Sequence, residues 1–503
     1  MVYASITTFF VVIPLSTAFL VSIFARFMKK GYMYGLSLLS STLLLFISFY
    51  AFILLSKSPD NILIYNIGGW APPFGICLVL DGLSVFMLVT INLIAFFVSI
   101  YNLSYIEKHE DAPKFLTLFF MMLAGLNGVA ITGDLFNLFV FLEVASIASY
   151  ALVSFYGRAE ELEAAFKYAI MSSVGSCFVF IGIAFLYSFT STLNMADMSR
   201  VLMSKQGFFV VPFVSVLFIM GFGLKAALAP FHTWLPDAHS SAPASISAIL
   251  SGVLIKTLGV YVIVRIFFNI FGMAVYLLNA LMILGVFSML VAGFLALPQW
   301  NIKRLFAYSS IGQIGYIALG FGLATPLGII GALFHIFAHS AAKSLLFLTA
   351  GNIDYVIKTR DLREMSGLKE KMPVTAGSNL MASMSVSGIP PFAGFFSKLI
   401  ILIACIQKGY YLYAVIAVIG SVLTLSAFAK VQRFAFFGEL KEKFENVKEA
   451  PLAMLIPCVC LAGICIFGGL LLLPPFRPFI DNAAAVLIEG TKYSTNVLGT
   501  VIR

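Results

Sequence analysis

Long apolar segments recur along the whole chain, and they constrain its fold more than any other feature. Each has about 20 residues, enough for a helix to cross the ~30 Å hydrocarbon core of a bilayer. We predict fourteen such helices, at 5–26, 33–55, 77–101, 115–132, 135–156, 164–189, 209–230, 243–269, 273–297, 304–324, 327–349, 374–404, 410–432 and 451–473. The first has neither a basic start nor a small-residue cleavage site, so we interpret it as a retained span rather than a signal peptide.

The composition is typical of a membrane protein and argues against soluble classes. Of 503 residues, 61% are apolar and 11% are charged, whereas a soluble domain is about half apolar and a quarter charged. The net charge of +9 forms no basic stripe, so we expect no nucleic-acid partner. The six cysteines lie in apolar runs without C-x-x-C spacing, which predicts buried hydrophobic side chains. We therefore expect no metal site, cofactor or catalytic group in this chain.

Lysine and arginine are distributed unequally between two sets of loops. The loops after the odd-numbered predicted helices hold 18 of them, against 8 on the other side. Cytoplasmic loops carry the excess of positive charge. We therefore expect the first set to face the cytoplasm of a prokaryotic cell, with both chain termini on the outer side of its membrane.

Two predicted helices contain prolines close to a lysine. Pro230 follows Lys225, and Pro390 and Pro391 precede Lys398. Proline removes a backbone donor and interrupts a helix, and at membrane depth the freed groups need protein or a wet cavity around them. A pair of interrupted spans in the two halves of a chain predicts a transport site between inverted repeats. Simple helix kinks are the alternative.

Several ionisable residues lie within or at the edge of the apolar segments. They are Lys167, Lys225, Lys256, Lys343, Lys398 and Glu143. A charge at the centre of a membrane helix costs about 2.5–3.5 kcal/mol on insertion scales, so this number of charges indicates that the chain moves ions or protons. A lasting charge on Glu143 requires a nearby cation, and lysine suits that role because burial readily changes its protonation. A static ion pair is the alternative.

His335, His339 and Lys343 follow one another at intervals of four in one predicted helix. This spacing places them on one helix face, drifting by about 40° per step. We predict that they form a proton relay through water, the alternative for a lone histidine being a hydrogen-bonded core residue. Ser309, Ser310 and Gln313 in the preceding helix are candidates for ordering that water, although serine is also common at helix contacts.

Five motifs at these residues resemble the proton-translocating antiporter-like subunits. They are TGDLFNLFVFLEVASIASY, GFGLKAALAPFHTWLPDAHSSAP, IKRLFAYSSIGQIGY, HIFAHSAAKSLLFL and GIPPFAGFFSK, and the resemblance covers roughly residues 70–435. The family includes large membrane subunits of complex I, of energy-converting membrane-bound hydrogenases and of Mrp-type sodium/proton antiporters. It implies an all-α polytopic fold of about fourteen transmembrane helices with two inverted five-helix repeats and two broken helices.

The resemblance also implies domain limits and residue roles. Three transmembrane helices would occupy 1–114, the first repeat 115–270, the second repeat 271–435, and the final helix with a short tail 436–503. Glu143 resembles the key glutamate of the fifth helix and Lys225 its partner lysine, while Lys256 resembles the residue that links two half-channels. His335, His339 and Lys343 match the relay of the eleventh helix, and Lys398 the terminal lysine of the twelfth.

Three functions are compatible with the sequence. Two segments look more like the Mrp and hydrogenase branches than like the complex I subunits, namely GGWAPPFGICLVLDGLS and TSTLNMADMS. We favour a subunit of a redox-driven, hydrogenase-like or complex-I-like complex. Its partners would be a second antiporter-like subunit, small membrane subunits and peripheral iron–sulfur subunits that hold any oxidoreductase activity. The alternative is the large subunit of a secondary Mrp-type antiporter. A permease for an organic solute would need a more polar pocket than these spans offer.

Overall fold

A computed structural model describes residues 4–25, 27, 30–58, 61–107, 111–204 and 209–502. Its first half contains α1 (Ile6–Phe24), α2 (Lys30–Ser56), α3 (Gly82–Tyr105), α4 (Ala112–Ile131), α5 (Leu135–Val153), α6 (Ala159–Thr190), α7 (Met195–Ser204), α8 (Val210–Lys225), α9 (Trp234–Ser241) and α10 (Ala244–Ile270). Its second half contains α11 (Val275–Ala296), α12 (Ile302–Gly322), α13 (Pro326–Ile357), α14 (Pro373–Ser387), α15 (Ala393–Gln407), α16 (Tyr411–Val431), α17 (Leu452–Phe467), α18 (Pro478–Ile488) and α19 (Lys492–Ile502).

Each of the fourteen predicted windows coincides with one of these helices or with a pair of short ones. Within the described ranges, 11 helices are long and apolar enough to cross a membrane. The three other windows correspond to α8, to α12 and to the pair α14 and α15. The helical, multi-span membrane fold is therefore confirmed, whereas the number of fourteen crossings stays a prediction. Of the charges counted for orientation, Arg26, Lys29, Lys108, Lys205 and Arg503 lie outside the described residues.

Both predicted helix breaks are present. The first lies between α8 and α9 and contains Pro230. The second lies between α14 and α15 and contains Pro390 and Pro391. Gly388, directly after α14, has a φ of +82°, which glycine adopts without the steric cost of a side chain. Each break thus ends one half-helix and starts another inside the helical bundle.

The third predicted helix, at 77–101, begins later than expected. Residues Cys77–Asp81 form strand β2, which pairs in antiparallel register with β1 (Ile62–Asn66). Asp81 then caps α3, since its carboxylate accepts a hydrogen bond from the Ser84 backbone amide at 2.8 Å. A short apolar run such as CLVLD is compatible with a helix or with a buried strand, so its sequence pattern alone did not separate the two.

Two helices of the C-terminal tail were not anticipated. Helix α18 packs against α3 and α13, and α19 packs against α7 and β1. The tail therefore covers one end of the bundle instead of extending away from it.

Helices α10 and α13 form the centre of the molecule. Every residue of α10 is buried, and 94% of the apolar window of α13 is buried. By contrast, α1, α2, α6 and α16 expose apolar side chains along most of their length. The two central helices carry Lys256, His335, His339 and Lys343, and these four side chains are at most 2% exposed.

Candidate functional site

Glu143 and Lys225 form an ion pair between α5 and the end of α8. The Lys225 Nζ lies 3.3 Å from Glu143 Oε1. The two partners differ in exposure, since 2% of the lysine side chain is accessible against 26% of the glutamate side chain. The predicted acidic residue and one predicted lysine are therefore brought together by the fold.

Three serines surround this pair. Lys225 Nζ donates to the hydroxyls of Ser146 at 3.1 Å and Ser172 at 2.9 Å. The Ser176 hydroxyl donates to Glu143 Oε1. Because the lysine has neutral partners as well as the carboxylate, it can turn away from Glu143 without losing all of its hydrogen bonds.

Aromatic packing fixes the break that follows Lys225. Trp234, at the start of α9, stacks on Tyr168 of α6 with ring centroids 4.1 Å apart and an interplanar angle of 3°. Its indole N–H donates to the Leu224 carbonyl at 3.0 Å. This carbonyl belongs to the last turn of α8, where the backbone no longer supplies intrahelical N–H donors to the carbonyls. The tryptophan thus holds the two half-helices together beside the ion pair.

Lys256 lies in α10 where the backbone has π-helical turns, at Leu250–Leu254 and Lys256–Tyr261. Its Nζ donates to the carbonyls of Ser251 at 2.8 Å and Gly252 at 2.5 Å. π-Helical turns are rare and are often found at functional sites. The lysine is completely buried and is held by backbone dipoles of its own helix.

A glycine allows α10 to approach the residue after Lys225. A Cβ atom at Gly259 would lie 2.5 Å from the Ala226 backbone nitrogen, well inside van der Waals contact. Since Gly259 is three residues from Lys256 and Ala226 follows Lys225, this close contact brings the two lysine-bearing segments against each other.

Serines of α12 connect Lys256 to Lys343. The Ser310 and Ser251 hydroxyls are 2.7 Å apart. Lys343 Nζ donates to the Ser309 hydroxyl at 2.6 Å and to the Phe306 carbonyl at 2.9 Å. Two of the three candidate water-ordering residues therefore touch the lysine-bearing helices directly.

Gln313, the third candidate, is buried one turn further along α12. Neither its side-chain oxygen nor its nitrogen has a hydrogen-bond partner within the described part of the chain. Burying an amide without hydrogen-bond partners costs free energy of folding. The Gln313 side chain therefore has unused hydrogen-bonding capacity within the described structure.

The α13 histidines lie next to each other as their spacing predicts. The His335 and His339 rings are 5.8 Å apart and nearly parallel, and His339 lies within electrostatic range of Lys256 and Lys343. His335 Nδ1 is 2.8 Å from the Ser397 hydroxyl on α15. This face of α13, which carries His335, His339 and Lys343 and is called the α13 face below, thus reaches from the central lysines to the second broken helix.

Lys398 lies at that second break. Its Nζ donates to the Val386 carbonyl at the end of α14, at 2.8 Å, and to the Ser421 hydroxyl at 3.2 Å. It also lies 4.5 Å from the centre of the Tyr316 ring, whose face attracts cations. Tyr316 lies against His335 at 5.7 Å between ring centroids. We call the residues from Glu143 and Lys225, through Lys256 and the α13 face, to Lys398 the buried series.

Lys167 does not belong to this buried series. Its side chain is 48% exposed and pairs with Glu163 at 2.7 Å and Asp237 at 3.2 Å. Asp237 also binds Arg304 at 2.7 Å. These residues form an ion-pair cluster at the edge of the bundle.

Sequence reasoning missed two buried basic residues near the series. His239 of α9 is fully buried and stacks on Phe347 at 4.7 Å. Lys303 of α12 is 1% exposed and donates to the Ala242 carbonyl. His239 stood within the quoted PDAHSSAP motif, but no periodic pattern marked it. Lys303 directly precedes the predicted helix at 304–324 and was therefore counted among the loop charges.

The cysteines are only partly as predicted. Cys77, Cys405, Cys458 and Cys465 are buried, whereas Cys177 and Cys460 are exposed on the apolar surface.

Two family descriptions match this chain. The transmembrane family described as "NADH:quinone oxidoreductase/Mrp antiporter" matches residues 132–424, and "NADH-Ubiquinone oxidoreductase (complex I), chain 5 N-terminus" matches residues 66–116. The first match alone includes the ion pair, both breaks and the α13 face.

Curated relatives are similar over most of their length. A Na(+)/H(+) antiporter subunit of Alkalihalophilus pseudofirmus is 34% identical over 440 residues, which are 87% of this chain and 89% of the relative. "NADH-quinone oxidoreductase subunit N" of Desulforudis audaxviator is 34% identical over 422 residues, which are 80% and 84% of the two chains.

Solved structures agree with this assignment. A chain of the Mrp complex from Dietzia sp. DQ12-45-1b superposes with a TM-score of 0.91 at 26% identity, covering 99% of this chain and 100% of that one. A chain of an archaeal respiratory complex, the membrane-bound sulfane sulfur reductase, gives a TM-score of 0.90 at 30% identity, covering 98% and 100%. The chain therefore belongs to the NADH:quinone oxidoreductase/Mrp antiporter family of multi-span, antiporter-like membrane subunits.

Proposed function

We propose that this chain translocates protons along the buried series that starts at Glu143 and Lys225 and ends at Lys398. One observation carries the proposal, namely that serines of α12 join Lys256 to Lys343 and that ring contacts join the α13 histidines to Lys398. The three lysines of this part are also buried, since Lys256, Lys343 and Lys398 are each at most 3% exposed. Buried ionisable residues in membrane helices mark ion paths because their burial is otherwise unfavourable.

Among the described residues, only the first lysine of the series has a carboxylate partner. Lys225 pairs with Glu143, whereas Lys256, Lys343 and Lys398 donate to carbonyls and serine hydroxyls in the described structure. An opposite charge at 3–4 Å favours the protonated lysine, and its removal favours the neutral amine. Opening and closing the Glu143–Lys225 pair would thus make the next lysine gain or lose a proton in turn.

The inverted repeats supply a frame for this path. We assign the first repeat to 115–270 and the second to 271–435, with 1–114 and 436–503 as flanking segments. Each repeat then contains one broken helix and one lysine at its break, Lys225 or Lys398. We further propose a prokaryotic cell membrane as the location, with both chain termini on its outer side.

We propose a redox-driven, hydrogenase-like or complex-I-like complex as the parent assembly. The relatives named as part of a quinone oxidoreductase and of a sulfane sulfur reductase support it. Its partners would be a second antiporter-like subunit, small membrane subunits and peripheral iron–sulfur subunits. The second candidate is a secondary sodium/proton antiporter, which the relative named as part of a Na(+)/H(+) antiporter and the Mrp complex support.

Purification of the complex followed by flux measurement tests both candidates. We expect the reconstituted complex to acidify or alkalinise the vesicle lumen, read with a pH-sensitive dye. Flux that needs an electron donor and persists with a sodium-selective ionophore supports the redox-driven proton pump. Flux that needs only a sodium gradient and collapses with that ionophore supports the secondary antiporter. A complex that moves neither ion under either condition refutes proton translocation.

A further inference from the structure

A groove between α14 and α16 opens at the surface of the bundle and is not part of the buried series. Its cavity volume is about 380 Å³. Two of its wall residues, Leu425 of α16 and Phe437, are 42% and 40% exposed, so the groove is open on one side. The other apolar residues of its walls are Leu380, Met384, Ile389, Phe428 and Ala429. We call this cavity the α14–α16 groove.

The walls of the groove present mainly hydrocarbon. Leu380 and Met384 are four residues apart and share one face of α14, and the same spacing places Leu425 and Ala429 on one face of α16. The polar wall residues other than the arginine described next are Ser383, Ser387 and Gln432, which are at most 8% exposed. Apolar cavities exclude water, so an apolar occupant suits this surface better than solvent does.

One end of the groove carries two positive charges. Arg433 lines the groove from the π-helical turn that continues α16, and Lys369 Nζ lies 5.1 Å from the centre of the Phe437 ring. Both cations are exposed. Glu370 and Glu439 are close to them in sequence, but neither cation forms an ion pair within the described residues. This end of the groove therefore offers two cations to an anion from outside the chain.

Aromatic residues place the same end at the level of lipid headgroups. Trp300 packs edge-on against Phe434, the residue after Arg433, with ring centroids 5.1 Å apart. Lys430 Nζ lies 4.7 Å from the centre of the Trp300 ring. Tryptophan is enriched where hydrocarbon meets water, and long basic side chains extend their charge to that level. The groove thus runs from the headgroup level, at Arg433, toward the second helix break, at Ile389.

We propose that the α14–α16 groove binds one acyl chain of an anionic phospholipid, whose phosphate pairs with Arg433 and Lys369. The guanidinium group suits this role because it can donate two parallel hydrogen bonds to a phosphate. The lipid belongs to the leaflet on the side of the α13–α14 loop, because Lys369 lies in that loop. Binding makes and breaks no covalent bond. The proposal goes beyond proton translocation and does not depend on it.

A helix of a neighbouring subunit is the competing occupant. A helix with its side chains is about 10–12 Å across, so a 10 Å length of it fills roughly 800–1,100 Å³. This is more than twice the volume of the groove, which is about 380 Å³. An apolar helix would also leave Arg433 and Lys369 without an anion. A single acyl chain with a charged headgroup meets both requirements.

Photo-crosslinking in vesicles that contain the whole complex tests the site. The two probes are phosphatidylglycerol, which is anionic, and phosphatidylcholine, which has no net charge, each with the same photoactivatable group on one acyl chain and at the same low mole fraction. Mass spectrometry of peptides reads labelling at Leu380, Met384 and Leu425. Labelling at Leu39 and Phe46 of α2, which are 64% and 68% exposed, measures non-specific contact with lipid.

We expect phosphatidylglycerol to label the groove at least about fivefold more than phosphatidylcholine, and both to label α2 equally. Each basic residue near an anionic lipid surface contributes about 1 kcal/mol, which corresponds to about fivefold in binding. Equal labelling of the groove by the two probes overturns the proposal. Absence of labelling by either probe also overturns it, and is the result expected if a helix of another subunit covers the groove.

Two variants separate the charge from the groove. Arg433→Gln removes the exposed cation and should lower phosphatidylglycerol labelling about fivefold, whereas Arg477→Gln, an exposed arginine of the C-terminal tail, should keep the wild-type preference. Ala429→Phe fills the groove and should reduce labelling of Leu380 by both probes. An unchanged preference in Arg433→Gln contradicts the phosphate contact. If a variant does not assemble, the ratio of the two probes in the wild-type complex decides.

Discussion

Lys225 Nζ lies 3.3 Å from Glu143 Oε1, although the lysine side chain is almost fully enclosed and a quarter of the glutamate side chain is accessible. The pair therefore joins an enclosed cation to an anion at the surface of the isolated chain. Because Glu143 is accessible from outside the bundle, a neighbouring group can approach its carboxylate and so alter the ion pair.

The pair should behave as one switch. We expect Glu143→Gln and Lys225→Ala each to slow proton flux about tenfold or more, that is by about 1.4 kcal/mol or more. The double variant should be hardly slower than either single variant, because both changes disable the same element. Flux in vesicles with equal amounts of assembled complex provides the measurement. Losses that simply multiply would mean that the two residues act independently.

Lys343→Ala should reduce proton flux while the complex still assembles. The change removes one titratable group from the α13 face, and the surrounding helices remain apolar. Lys167→Ala provides the control, since that lysine is half exposed and lies in an ion-pair cluster at the edge of the bundle. Equal flux in the two variants would show that the α13 face has only a structural role.

Gly259→Ala should destabilise the protein and slow transport. Its new Cβ would meet the Ala226 backbone at 2.5 Å, and overpacking of this kind costs about 1–3 kcal/mol. Gly377→Ala, also within a helix, has nothing within 4 Å of its new Cβ and should be neutral or slightly stabilising. Thermal unfolding of the purified complex compares the two variants, and an unchanged melting temperature for Gly259→Ala would contradict the close contact.

The buried pair Asp81–Arg265 should contribute to stability far from the proposed path. Arg265 of α10 donates to both Asp81 carboxylate oxygens, at 2.6 and 2.8 Å. Removing one partner of a buried pair costs about 3–5 kcal/mol because the other charge is left unpaired. We therefore expect Asp81→Asn to lower the melting temperature markedly. The exposed pair Asp361–Arg363 offers the control, with little effect expected from Asp361→Asn.

The topology prediction depends on loop charges alone. A tag at either chain terminus should react with an impermeant reagent added outside intact cells, and a tag next to Lys369 only after the cells are opened. Labelling with the reverse pattern would invert the orientation.

Hydrophobicity and proline positions are local properties, and they predicted the helices and both breaks. The site was also foreseeable in part, because Glu143, Lys225 and the α13 residues carry charge or a clear periodicity. The strand at Cys77–Asp81 was missed because its apolar run has no period that separates it from a helix.

Other features depend on which helices meet. His239 and Lys303 gain their surroundings from the fold, not from their neighbours in sequence. Four polar residues of α14 did carry a signal, since they recur at every fourth position. They are Thr375, Asn379, Ser383 and Ser387, all buried.

The two breaks place the negative ends of half-helices inside the helical bundle. Lys225 is the last residue of α8, and Lys398 donates to a carbonyl in the last turn of α14. Aligned peptide dipoles give such an end roughly half a negative charge. Both lysines therefore lie at the helix end whose dipole attracts cations. The backbone itself therefore acts as part of the counter-charge for these lysines, of which only Lys225 has a carboxylate partner among the described residues.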